Sequence, residues 1–162
     1  IINTGSTGSF RKDFALGDVV YTNQFMYSDV DATGFDYAFG QVPQMPASYP
    51  VAAKWLQVIE TVLAQATIPA HQGLIVTADS FMSDQTSVAA IRQKFPEIIA
   101  SDMESAAIAQ IAHFYDIPVI NLRGISDHVG EEAPDTFTDT LDLAATQAFK
   151  AVKALIDYYQ IA

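Results

Sequence analysis

Residues 98–105 read Ile-Ile-Ala-Ser-Asp-Met-Glu-Ser, a short apolar run that ends in two carboxylates. A second stretch repeats the arrangement: Ile117-Pro118-Val119-Ile120-Asn121-Leu122 leads into Arg123-Gly124-Ile125-Ser126-Asp127. Short apolar runs bounded by polar residues read as buried strands, and helical patterns lie between them, which is the order of an α/β protein. The carboxyl ends of parallel strands share one edge of such a sheet, and ligands bind along it. Both acidic clusters are therefore expected at one site. Two carboxylates and an arginine there suit a polyhydroxylated, basic, uncharged ligand, a description that fits a nucleoside.

Working outward, Ile1-Ile2-Asn3-Thr4-Gly5 reads as a strand running into a glycine- and hydroxyl-rich turn, Gly5-Ser6-Thr7-Gly8-Ser9. Residues 19–27 read as strand, rich in β-branched and aromatic side chains. Residues 29–50 form an irregular loop holding Pro43, Pro46 and Pro50 together with Phe35, Tyr37, Phe39 and Tyr49. A long aromatic loop cannot bury itself, so it is expected to pack on a partner or cover a site. A helix follows, with Ser48 as cap, Pro50 in its first turn and an apolar face of Val51, Trp55, Val58, Ile59, Val62 and Leu63. Residues 72–77, 98–100 and 118–122 read as strands; residues 87–95, 103–115 and 137–159 read as helices. The chain shows no repeat and no linker, and reads as one domain over residues 1–162. Its opening strand has nothing before it, although a central strand needs neighbours on both sides. The expectation is a chain that forms the C-terminal part of a longer domain.

Composition narrows the class. At 162 residues and 50% hydrophobic, the chain can bury one sizeable core. Zero cysteines exclude disulfides and thiolate metal sites and fit a reducing compartment. A formal charge of −11 repels phosphate backbones, so no nucleic-acid partner is expected. No apolar stretch approaches the ~20 residues of a membrane helix. The default is a cytoplasmic protein with no membrane contact.

Each candidate residue carries a functional reading beside a plainer one. Gly5-Ser6-Thr7-Gly8 follows a strand and could cradle an anion or sugar, or be a plain turn; it lacks the Gly-Lys-Ser/Thr ending of a P-loop. Arg11 and Lys12 nearby keep a phosphate role open. Glu104 lies near a helix start, where the dipole favours a carboxylate. Its two oxygens also suit a ribose 2′,3′-diol. A buried Arg123 needs a partner, and Glu104 is the natural one. Asp127 is either a turn aspartate or a general acid whose pKa burial has raised. Phe81 is either core or a ring that stacks on a purine. His71, His113 and His128 show no metal-ligand spacing, though His128 could tune its neighbour Asp127. No metal and no cofactor are expected.

Taken in order, these residues resemble the purine nucleoside phosphorylase and nucleosidase superfamily, and more closely its bacterial 5′-methylthioadenosine/S-adenosylhomocysteine nucleosidases. The matching stretches are Asn3-Thr4-Gly5-Ser6, Gly17-Asp18-Val19-Val20, residues 35–46 with their Tyr-x-x-Gly-Gln-x-Pro core, Gly73-Leu74-Ile75-Val76, Ala78-Asp79-Ser80-Phe81, Asp102-Met103-Glu104-Ser105 and Arg123-Gly124-Ile125-Ser126-Asp127. The resemblance implies a three-layer α/β/α fold with a mixed central sheet, of the phosphorylase/hydrolase-like kind, assembled as a homodimer. It implies that Glu104 binds the ribose hydroxyls, with Met103 beneath the sugar and Arg123 and Asp102 nearby. It makes Asp127 the general acid, oriented by Ser126, and stacks Phe81 on adenine while the Met82 backbone reads its edge. It puts Ser6, Thr7 and Gly8 at the substrate, Phe137 in the alkylthio pocket, and Phe35 and Pro43 in the partner subunit's site.

Three departures stand out. Asp102 occupies a position where the family commonly has glutamate. Val129 and residues 130–134 are unusual. The segment that carries the family's water-activating glutamate is not in this sequence. The implied reaction is hydrolysis of an adenine nucleoside at its N-glycosidic bond. The alternatives are phosphorolysis, which Arg11 and Lys12 keep open, and a storage or binding protein that holds the nucleoside uncleaved.

Overall fold

The computed structural model describes residues 1–130 and 132–161, so Glu131, within the unusual 130–134 stretch, and Ala162 lie outside the described residues. Six strands form one mixed sheet: β1 (Ile2–Ser9), β2 (Val19–Tyr27), β3 (Tyr49–Pro50), β4 (Ala70–Thr77), β5 (Ile98–Asp102) and β6 (Ile120–His128). Their order is β3-β2-β4-β5-β1-β6, and β6 pairs again with β2, which closes the sheet on itself. β2, β4 and β5 run parallel to one another, while β1 and β6 run together in the opposite sense. The helices α1 (Ala53–Gln65), α2 (Gln85–Lys94), α3 (Ser105–Phe114) and α4 (Ala133–Ile161) complete the α/β arrangement. Among the described residues no helix is long and apolar enough to cross a membrane.

Local chemistry sets most of these boundaries. The first turn of α2 is capped by Asp84, whose side chain accepts from the Ser87 N–H at 2.7 Å. α4 packs along β6 through small residues, Ala144, Ala148 and Ala151, each at most 1% exposed. That approach needs Gly124 in β6, because a Cβ there would overlap the Ala144 carbonyl. The main core lies between the sheet and helices α1, α3 and α4, around Val19, Phe25, Ile59, Leu63 and Leu122.

Two expectations are corrected. Residues 5–9 are not a turn: β1 runs through both glycines to Ser9, held by its pairing to β6. Ser48 and Pro50 do not open the first helix. Tyr49–Pro50 instead pairs with β2 as an edge strand, where a proline's missing N–H does no harm, and α1 starts at Ala53 without a side-chain cap. β1 itself is flanked by β6 along its length and met by β5 at Gly8 and Ser9.

Candidate active site

The two acidic clusters do meet, though not along a parallel edge. β1 and β5 are antiparallel and pair only at Gly8–Ser101 and Ser9–Ala100, near their carboxyl ends. Antiparallel strands that overlap only at their carboxyl ends bring those ends together, and β6 follows β1 in parallel. The result is a cleft of about 180 Å³ walled by β1, β5, β6, the loop after β4 and the start of α4.

One wall is a buried polar network around Asp102. Its side chain is fully buried and lies 3.0 Å from Arg123 Nε, at an angle that makes the contact Coulombic rather than a hydrogen bond. Thr77 Oγ1 donates to its Oδ1 at 2.7 Å and the Ser105 hydroxyl donates to its Oδ2. The N–H groups of Glu104 and Ser105 point at the same Oδ1, so Asp102, with Thr77 on the Ala106 N–H, caps α3. Capping thus falls to Asp102 and not to Glu104. Met103 and Glu104 lie before the helix starts, free to face the cleft. Asp102, expected among the substrate-binding residues, lines the cleft with its carboxylate already engaged by Arg123, Thr77 and Ser105. Thr77 and Ser105 escaped the sequence reading, whose only hint was a hydroxyl at the end of one strand run and another at a helix start.

Arg123 joins this network to the cleft. Its guanidinium, 4% exposed, donates from Nη2 to Glu104 Oε2 at 2.8 Å and to Asn3 Oδ1 at 3.2 Å, and from Nη1 to the Ser6 carbonyl at 2.8 Å. The Glu104 side chain is 57% exposed, so the arginine orients a carboxylate that still faces solvent.

Further along β6 the cleft is lined by Asp127, 2% exposed. Ser126 Oγ donates to its Oδ1 at 2.8 Å. Burial pushes the Asp127 carboxyl above the usual range, while the Ser126 bond and the nearby His128 pull it back. Ser126 and Asp127 sit at a bulge: Thr7 pairs with Ile125 and Gly8 with Asp127, which leaves Ser126 without a partner. Bulges beside active sites re-aim side chains. Gly8 makes room for the result, since a Cβ there would come within 2.9 Å of Asp127 Oδ2. Of the remaining β1 positions, Ser6 and Thr7 also line the cleft, but the Thr7 hydroxyl is spent on the Ser101 carbonyl at 2.7 Å.

Apolar groups form the rest. Phe81, 43% exposed, meets Phe137 of α4 edge to face at 5.7 Å between ring centroids. Met103 is 44% exposed at the floor, and Met82 O accepts from Gly130 N–H at 2.8 Å, tying the loop after β6 to the loop after β4. Val129 also lines the cleft.

Other expected residues lie elsewhere. Arg11 makes a bidentate pair with Asp13, at 2.8 Å on each arm, and neither Arg11 nor Lys12 borders the cleft. Arg123 is the only cation among the described cleft-lining residues. Phe35 stands at the tip of a 3₁₀ turn, 82% exposed, and Pro43 is exposed further along the loop; neither reaches this chain's own cleft. His71 pairs with Asp18 at 2.8 Å, and His128 lies 3.0 Å from the Phe14 carbonyl.

This geometry has known counterparts. The phosphorylase superfamily model matches residues 1–157. A 5′-methylthioadenosine/S-adenosylhomocysteine nucleosidase of Anoxybacillus flavithermus is 40% identical over 158 residues, 97% of this chain and 68% of that protein. The chain belongs to this nucleosidase family. Among solved structures, the nucleosidase of Colwellia psychrerythraea in complex with adenine superposes with a TM-score of 0.92 at 36% identity, over 96% of this chain and 65% of that one. The Neisseria meningitidis nucleosidase in complex with methylthio-immucillin-A gives a TM-score of 0.92 at 38% identity, over 96% and 68%. The chain therefore spans about two thirds of these family members' length. The mixed sheet with flanking helices expected from the sequence is the fold of the family.

Proposed function

We propose that the protein hydrolyses the N-glycosidic bond of 5′-methylthioadenosine and S-adenosylhomocysteine, releasing adenine. The observation that carries this reading is the placement of a buried Asp127, its carboxyl pushed upward by burial, in one cleft with the Arg123-held Glu104. Glu104 accepts from the ribose hydroxyls, with Met103 under the sugar and Ser6 and Gly8 beside it. Phe81 stacks on the adenine, the Met82 backbone faces its edge, and Phe137 borders the 5′-alkylthio group. As the C1′–N9 bond breaks, its electron pair passes to the purine and Asp127, held by Ser126, gives its proton to N7. Water then forms the new bond to C1′, and its proton goes to a carboxylate base on the opposite face, the two-carboxylate logic of inverting glycoside hydrolysis.

That base is not one of the described cleft carboxylates: Asp102 and Glu104 are held by Arg123, and Asp127 is the acid. We place it in sequence outside these residues, with the present chain as the C-terminal part of the domain. In this reading Phe35 and Pro43 complete the cleft of a second copy in a homodimer, which the exposed ring on a 3₁₀ turn supports. A cytoplasmic setting belongs to the same proposal. Water is favoured over phosphate because the one cation among the described cleft-lining residues is already paired twice.

The engagement of every cleft carboxylate favours a second reading for these 162 residues alone, nucleoside binding without turnover. Adenine release from 5′-methylthioadenosine by the complete gene product in phosphate-free buffer tests the first; nucleoside binding with no release by these 162 residues would favour the second.

A further inference from the structure

Ser126 stands outside both ladders of β6. It has no partner in β1, where the register skips it, and β2 pairs only with Arg123 and Gly124. An unpaired carbonyl in a buried strand needs another donor. The donor comes from α4: Thr140 Oγ1 bonds the Ser126 carbonyl and shares its proton with the Thr136 carbonyl at 2.7 Å. Thr140 lies one turn beyond Phe137 and one turn before Ala144, so the three occupy one helix face. Phe137 borders the cleft, Thr140 holds the bulge, and Ala144 rests on Gly124.

We propose that Thr140 is a positioning residue, fixing the Ser126 bulge and thereby the aim of Asp127, and that α4 couples the wall beside the 5′ substituent to the general acid. The proposal rests on the nucleosidase reading. The charged groups around Asp127 are Arg123 and His128 on its own strand, with Asp102 and Glu104 from β5 and the residues after it; the described cleft-lining residues of β1 and α4 carry no charge. Loosening the bulge lets water reach the Asp127 carboxyl and returns its proton affinity toward the ordinary carboxylate range.

The test compares Thr140→Val, which keeps shape and loses the donor, with Thr140→Ser, which keeps the donor, both in the complete gene product. Thr140→Ala replaces the valine variant if that one fails to fold. Loss of one hydrogen bond should lower kcat by about 3- to 10-fold with KM within about twofold. The alkaline limb of the kcat profile should move to lower pH in Thr140→Val and stay in place in Thr140→Ser. Wild-type kcat in Thr140→Val, a drop in kcat with an unmoved limb, or equal losses in both variants would overturn the proposal. If the wild type releases no adenine, the nucleosidase reading falls separately. The Asp127 carboxyl is then titrated by ¹³C NMR: a lower pKa in Thr140→Val alone supports the positioning role, and an unchanged one overturns it.

Discussion

Arg123 and Glu104 form an ion pair of unequal partners, 2.8 Å apart, with the arginine side chain 4% exposed and the glutamate 57% exposed. The buried member belongs to the Asp102 network and the exposed member to the cleft, so substitutions at the two ends should have different consequences.

Glu104→Gln keeps the shape and removes a half-solvated charge, which should change stability by less than about 1 kcal/mol. Two charge-assisted hydrogen bonds to a ribose diol weaken with it, so affinity for 5′-methylthioadenosine should fall about tenfold or more. Arg123→Gln leaves the buried Asp102 unpaired and should cost about 3–5 kcal/mol of stability. Calorimetric titration and denaturant unfolding separate the two effects.

Asp127→Asn should lower kcat by about 10²–10⁴-fold while nucleoside binding persists. It also has a signature in stability. Burial raises the folded-state pKa of Asp127 above its unfolded value, so the folded chain holds that proton more tightly. The resulting stabilisation is fully present below the unfolded pKa and is lost as pH rises through the raised folded one. Asparagine does not titrate, so relative to wild type the variant should gain stability between acid and neutral pH. Unfolding free energies at about pH 3 and about pH 7 check the sign.

Gly124→Ala should be among the costly single changes, about 1–3 kcal/mol or more, because the new Cβ must displace the α4 backbone at Ala144. Gly34→Ala meets nothing within 4 Å and should stay within about 0.5 kcal/mol. Equal melting temperatures for the two variants would contradict the close packing of α4 on β6.

Phe35→Ala should weaken nucleoside binding in a dimeric preparation and leave a dilute monomeric one unaffected. Sedimentation run alongside the binding titration tells these cases apart. The same loss in a monomer would refute a contribution across subunits.

Much of the site was legible because its chemistry is local. Asp102-Met103-Glu104 and Arg123 to Asp127 each follow an apolar run, and strand ends place such residues together. What the sequence hid was non-local. The closing pairing of β2 with β6, and the antiparallel overlap that joins Asp102 to Asp127, depend on twist and register that no single segment encodes. Gly5 and Gly8 read as turn residues because glycine usually marks one. Here Gly8 serves a strand that must pass close to Asp127. The division of labour between Asp102 and Glu104 was equally hidden, because it turns on which carboxylate Thr77 and Ser105 reach.

The most direct measurement is adenine release from 5′-methylthioadenosine by the complete gene product, with and without inorganic phosphate, in wild type and Asp127→Asn. The account predicts release at the same rate with and without phosphate, yielding free methylthioribose, and loss of nearly all turnover in the variant. Release that requires phosphate and yields a sugar 1-phosphate, or unchanged turnover in Asp127→Asn, would contradict it.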